Sequence, residues 1–153
     1  HTPESARQIT LPALERGLAA SGRERSSFEI SCQMILVTGR DDEQFEAARN
    51  GARAQISFYG STPAYRPVLE CHGLGDLQDE LNRLSKQGKW LEMAGLVDDD
   101  LLEKIAVVAP RNEVAAKVRE RCGSWADRVS LLSHFAGPDL LEDIVEDLSR
   151  DSV

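Results

Sequence analysis

A chain of 153 residues is long enough for one domain with a core of its own, and 41% hydrophobic residues supply the material for it. Its 18 Lys and Arg against 26 Asp and Glu leave a formal net charge of −8, which argues against nucleic acid or an anionic lipid surface as a partner. No stretch approaches the ~18 consecutive apolar residues of a membrane span, and the opening HTPESARQ lacks the basic end and apolar centre of a secretory signal, so a cytoplasmic protein is expected. Cys32, Cys71 and Cys122 are widely spaced with no CxxC pair, which predicts reduced, mostly buried thiols and neither a disulfide framework nor a zinc site.

Thr2-Pro3 predicts a helix start, with Thr as the capping oxygen and Pro at the first helical position, where its missing N–H is not needed. Leu11, Leu14 and Leu18 share one face and Gly22 ends the segment, while Pro12 predicts a kink or a split. In SSFEISCQMILVTG, Phe28, Ile30 and Cys32 alternate before Met34 to Val37 turns apolar on both faces, the pattern of a strand covered from both sides. Asp41-Asp42-Glu43 then starts a long amphipathic helix carrying Phe45, Ala48, Ala52, Ile56 and Tyr59 on one face. From about residue 60 to 104 no strand is evident; glycines and prolines break this stretch into short helices, a long excursion for a connection inside an α/β unit. Trp90 and Met93 read as its core, and Asp98-Asp99-Asp100 as a helix cap, since it lacks the ligand spacing of a calcium loop. Alternation resumes with a short strand over Ile105 to Ala109, a helix presenting Val114, Ala115, Val118 and Cys122, a strand over Arg128 to Leu132, and a last helix with Leu140, Leu141, Ile144, Val145 and Leu148 inward. Alternating βα units imply parallel strands joined by right-handed crossovers and buried between helices, with exposed edges where only three strands are present.

At FYGSTPAYRPVLECHG, GKWLEMAGLVDDDLL and AVVAPRNEVAAKVRERCGSWADRVSL the chain resembles the C-terminal part of the luciferase-like monooxygenases, in particular their deazaflavin-dependent oxidoreductases, and HTPESARQITLPALERGLAASGR resembles the helix preceding that region. The resemblance runs from Thr2 to Leu132 and implies the C-terminal βα units of a TIM-type (β/α) barrel with a helical insertion, its earlier strands lying upstream of His1. A closed barrel of this type takes ~250 residues, so the barrel in this chain is expected to be incomplete. Coenzyme F-420, a deazaflavin, is the cofactor the resemblance implies first, with FMN as the alternative. The implied reaction is hydride exchange with a small organic substrate, or monooxygenation if a reduced flavin meets oxygen. In many relatives a Gly closes the penultimate strand where this chain has Ala109-Pro110-Arg111, which argues against an anion-binding turn there.

Barrel enzymes place their chemistry at the C-terminal ends of strands, which directs attention to Arg40, Arg111 and His134. The arginines offer a hold for an anionic group, although single arginines in βα turns usually only solvate the surface; the histidine titrates near neutrality, although a lone exposed or capping His is commoner. Tyr59, Ser61, Thr62 and Tyr65 gather four hydroxyls around a Gly and a Pro, suited to orienting a polycyclic cofactor or an oxygenated substrate, or equally to a turn between packed helices. His72 either joins that pocket or caps a helix before Gly73. No catalytic residue is identified and no metal site is expected; nucleophile elbow, P-loop, HExxH and GxGxxG motifs are all absent. A second reading, from another class, is a non-catalytic shortened barrel module that self-associates or pairs with another chain, so the expected partners are a second copy or the N-terminal half of the same barrel.

Overall fold

The computed structural model describes residues 1–133 and 136–150. Thr2 caps the first helix reciprocally with Ser5: Thr2 Oγ1 accepts from Ser5 N at 3.1 Å and Thr2 N donates to Ser5 Oγ at 2.8 Å. Helix α1 (Pro3–Ser5) runs through a π-helical stretch, Ala6–Thr10, into α2 (Leu11–Ser21), which Gly22 ends at φ 65°. The regular α-helix is thus interrupted next to Pro12, which falls in the first turn of α2, where its missing N–H is not needed, directly after the widened turn. The α2 leucines do share a face, but no residue of α2 is fully buried.

Strand β1 (Ser31–Val37) is followed by α3 (Asp42–Gly60), capped by Asp41 Oδ1, which accepts from Gln44 N at 2.8 Å. The strandless excursion is built from a 3-10 turn over Pro63–Tyr65, α4 (Arg66–Glu70), α5 (Gly75–Lys86), α6 (Trp90–Gly95) and α7 (Asp99–Ile105). Asp98 caps α7 as expected, accepting from Leu101 N at 2.8 Å. Then follow β2 (Val107–Val108), α8 (Val114–Cys122), β3 (Arg128–Leu132) and α9 (Pro138–Arg150). The expected strand over Ile105 to Ala109 shrinks to two residues because α7 keeps Ile105 and the turn into α8 begins at Pro110.

Both ladders are parallel. Ser31 to Ile35 pair with Arg128 to Leu132, and Leu36 and Val37 pair with Val107 and Val108, giving the order β2-β1-β3. Sequential winding would set β2 between the other two; β2 is too short to offer more than a two-residue ladder, and β3 finds five partners along the other edge of β1. Cys32, Met34 and Leu36 pack against Val114, Val118 and Cys122 of α8 and Leu140 and Ile144 of α9. On the opposite face, Val37 packs with Ala48, Ala52 and Ile56 of α3 and Leu101 and Leu102 of α7. The chain passes from β1 to β2 through α3 on one face, then back across β1 to β3 through α8 on the other, so the two crossovers share one hand, as parallel crossovers do.

The outer edge of β2 is not left bare. Ala109 N turns inward to Val37 O at 3.1 Å, so the carbonyls of Ala106 and Val108 face outward, where Arg121 Nη1 and Lys117 Nζ each donate to them at 3.1 Å. The C-terminal ends of β1 and β2 are tied to α9 by ion pairs described below. At the N-terminal end, Asp127 Oδ2 accepts from Ile30 N at 2.7 Å and from Arg25 Nη2 at 2.6 Å, fixing the start of β3 against β1.

Two predictions follow from this packing. A Cβ on Gly39 would sit 2.5 Å from Phe45 N and 2.8 Å from Gln44 Cβ, so Gly39→Ala forces β1 and α3 apart and is expected to cost about 1–3 kcal/mol in urea unfolding. The Ile30 amide and then the Arg25 guanidinium hold the Asp127 carboxyl below its ordinary value. A depressed carboxyl stabilises the fold above its ordinary pKa, and that contribution is lost as pH falls through the lower folded value. The stability gap between wild type and Asp127→Asn is expected to shrink as unfolding midpoints are followed from about pH 7 to about pH 3; a gap independent of pH refutes the assignment.

Candidate functional site

A cavity of about 150 Å³ lies on the α3 side of the sheet. Gln33 and Ile35 of β1 and Leu132 of β3 form its floor, Ile56, Tyr59 and Gly60 of α3 one wall, and Tyr65, Val68, Leu69, Leu81, Leu101 and Ile105 the helical cover; His1 also reaches it. No Asp, Glu, Lys or Arg lines it, and apart from the two tyrosines His1 is its one ionisable lining residue. Tyr59 and Tyr65 are both partly exposed and stand at its mouth with ring centroids 5.5 Å apart. Neither phenol oxygen hydrogen-bonds to another group among the described residues, which leaves both free for a ligand. Gly60 is closely packed against the cover: a Cβ there would lie 2.9 Å from Leu81 Cδ1.

Of the hydroxyl cluster singled out in the sequence, Tyr59 and Tyr65 thus meet at one cavity and the other two residues do not. Ser61 is buried and structural: its Oγ donates to Phe58 O at 2.7 Å, and its carbonyl accepts from Gln78 Nε2 at 3.2 Å and Asn82 Nδ2 at 2.9 Å, joining the end of α3 to α5. Thr62 is exposed in the following turn. His72 lies outside this pocket as well; its Nε2 is 2.9 Å from Thr2 Oγ1, which anchors the start of α1 to the loop after α4. Trp90 is not core, in contrast to Met93, which is fully buried: as the first residue of α6 it sits at the rim and faces Phe58 at 6.3 Å.

Arg40 pairs with Asp143 at 2.9 Å, and Arg111 pairs with Asp147 and donates to Asp143 O at 3.1 Å. Both cations therefore fasten α9 across the strand ends, and their charge is already met by carboxylates one helical turn apart. His134 lies outside the described residues. Thr38, which the sequence reading passed over, directly follows β1; it is buried, and its Oγ1 is without a partner among the described residues. The cavity floor was missed too, although the odd-numbered positions of β1 are the ones its alternation turns away from Cys32, Met34 and Leu36. No group of three or more His, Cys, Asp or Glu is placed to hold a metal among the described residues, and no helix there is long and apolar enough to cross a membrane.

A tricyclic deazaflavin or flavin ring does not fit inside the cavity. Ligand sites of that class measure about 300–1,000 Å³, and about 150 Å³ takes a single ring. The two strand-end arginines, engaged with α9, are likewise not free to hold the phosphate of a cofactor tail.

The three cysteines are free thiols, Cys32 and Cys122 buried and Cys71 partly exposed. Burial pushes the Cys32 thiol up to about 11 and raises Cys122 as well. Labelling the folded chain with a thiol reagent near pH 8 is expected to modify Cys71 first, with Cys32 and Cys122 reacting only on unfolding; equal rates for all three contradict the packing of the β1–α8 face.

The model of the luciferase-like monooxygenase family matches residues 1–128. An uncharacterized protein of Mycobacterium tuberculosis is 49% identical over 143 residues, covering 94% of this chain and 42% of that protein, and a protein of Mycobacterium bovis matches to the same extent. The 5,10-methylenetetrahydromethanopterin reductase of Archaeoglobus fulgidus is 27% identical over 139 residues, 86% of this chain and 40% of the reductase. Among solved structures, the coenzyme F-420-dependent tetrahydromethanopterin reductase from Methanopyrus kandleri superposes with a TM-score of 0.69 at 20% identity, over 99% of this chain and 42% of that one. The chain thus spans less than half the length of the relatives it matches, and its parallel βα units correspond to part of their barrel. By the extent of the family match, the chain belongs to the luciferase-like monooxygenase family.

Proposed function

We propose that this chain forms the C-terminal βα units of an oxidoreductase that moves hydride between coenzyme F-420 and an uncharged organic substrate. The observation that carries the reading is the family match over residues 1–128, joined by two reductases of tetrahydromethanopterin substrates among the similar proteins, one of them described as F-420-dependent. A deazaflavin supplies two-electron transfer, whereas FMN, the alternative cofactor, would also permit activation of oxygen and hence monooxygenation. The cavity behind Tyr59 and Tyr65 fits the substrate side of such a site: uncharged, walled by apolar side chains, and furnished with two unengaged phenols to orient an oxygenated group. Residues beyond that cavity have to hold the ring.

Capping of the β2 edge by Lys117 and Arg121 weakens the competing picture of a non-catalytic module assembled through that edge.

The test is titration of the 153-residue chain with oxidised F-420 and, separately, with FMN, following fluorescence quenching, with sedimentation of the same samples to establish that the protein is folded and in what state of association. Saturable but weak binding of F-420, at least about tenfold tighter than FMN, is expected because only part of the ring's surroundings is present. Tighter binding of FMN moves the assignment to a flavin, and no binding of either by a folded species removes the cofactor from this chain.

A further inference from the structure

The mouth of the cavity continues outward as a row of aromatic rings that the fold itself does not use. Tyr65 and Tyr59 lie 5.5 Å apart between centroids, Tyr59 and Phe58 5.8 Å, and Phe58 and Trp90 6.3 Å, so each ring touches the next from the cavity to the start of α6. All four stay substantially open to solvent, Phe58 at 54% and Trp90 at 52%. Large aromatic side chains left this exposed forgo the burial that normally stabilises a core, and a contiguous run of them marks a binding surface. The neighbouring charges are already paired: Arg66 with Glu70 and Asp79, Lys89 with Glu92.

We infer that the cavity and the aromatic row form one continuous site for an uncharged, elongated molecule containing more than one aromatic ring, with the inner ring in the cavity and the outer ring against Phe58 and Trp90. Four features of the site select this class. The cavity volume of about 150 Å³ suits one six-membered ring. The absence of Asp, Glu, Lys and Arg from its lining disfavours a carboxylate or an ammonium at the inner end, where His1 is the one residue able to compensate a buried carboxylate. The free phenol oxygens of Tyr59 and Tyr65 offer a hydrogen bond to a hydroxyl or carbonyl substituent at the mouth. The exposed rings outside, edge-on or tilted to one another, favour contact with another aromatic ring over a flexible chain. Calling this molecule the substrate rests on the oxidoreductase reading; the binding itself does not, and it is measured without any cofactor.

The experiment uses 4-phenylphenol as the neutral two-ring probe, phenol as the one-ring probe, biphenyl-4-carboxylate as the charged probe and 1-nonanol as the aliphatic probe, each titrated against the 153-residue chain by calorimetry. Saturable binding of 4-phenylphenol is expected, with the carboxylate and nonanol at least about tenfold weaker. Val68→Phe, which fills the cavity from a partly exposed position, is expected to abolish binding of both phenols. Trp90→Ala is expected to weaken 4-phenylphenol roughly two- to tenfold and leave phenol unchanged, because it removes only the outer stacking partner. Circular dichroism of each variant establishes that it is folded. Equal affinity for nonanol or for the carboxylate overturns the assignment of ligand class. Absence of binding by the folded wild-type chain overturns the site, as does a dimer in sedimentation that Trp90→Ala converts to monomer, since the rings then cover a subunit contact. Binding of 4-phenylphenol with no binding of F-420 keeps this site and rejects the cofactor reading; the reverse result rejects this site alone.

Discussion

Strand β1 carries the rest of the structure. It is the strand to which both others are hydrogen-bonded, and helices cover it on both faces, α8 and α9 over Cys32, Met34 and Leu36, α3 and α7 over Val37. A parallel strand whose two faces both meet helices has to be apolar without interruption, which is why MILV follows the alternating SCQ in the same strand. The floor of the cavity then follows from which face of β1 a residue is on. Ile35 and Gln33 turn toward the excursion helices and floor the cavity, while Thr38 continues the strand to its C-terminal end.

Much of this was legible in the sequence. The long amphipathic helix with Ala48, Ala52 and Ile56 inward, the strandless excursion, the caps at Thr2, Asp41 and Asp98, and the parallel βα alternation all follow from periodicity and end signals that act over a few residues. Family resemblance extended that reading to a barrel portion, and the family match over residues 1–128 and the superposition on a solved relative bear out that part. Tertiary choices were less visible. The order of strands depends on how long a ladder β2 can offer, and two residues of pairing are decided by where α7 stops, which lies within the ordinary uncertainty of a helix end.

The candidate site shows the same division. Tyr59 and Tyr65 come together because the end of α3 and the turn before α4 are adjacent in sequence as well as in space. Arg40 and Arg111 stood out as unpaired cations at strand ends only while Asp143 and Asp147 were about a hundred and about forty residues away along the chain; in the fold these carboxylates are their partners. Ser61 and His72 were likewise drawn into structural roles by partners outside their own segment, Gln78 and Asn82 for the first and Thr2 for the second. Local chemistry names the candidates, and long-range packing decides which of them still have a free hydrogen bond to give.

Arg121 and Lys117 close the outward carbonyls of β2 from α8, whereas Val129 of β3 remains 36% exposed on the far side of the sheet. Among the described residues the sheet is therefore asymmetric: an incoming strand meets guanidinium and ammonium groups along the β2 margin and no such capping side chain along the β3 margin. Among the described residues, the edge of the sheet that no side chain caps is that of β3.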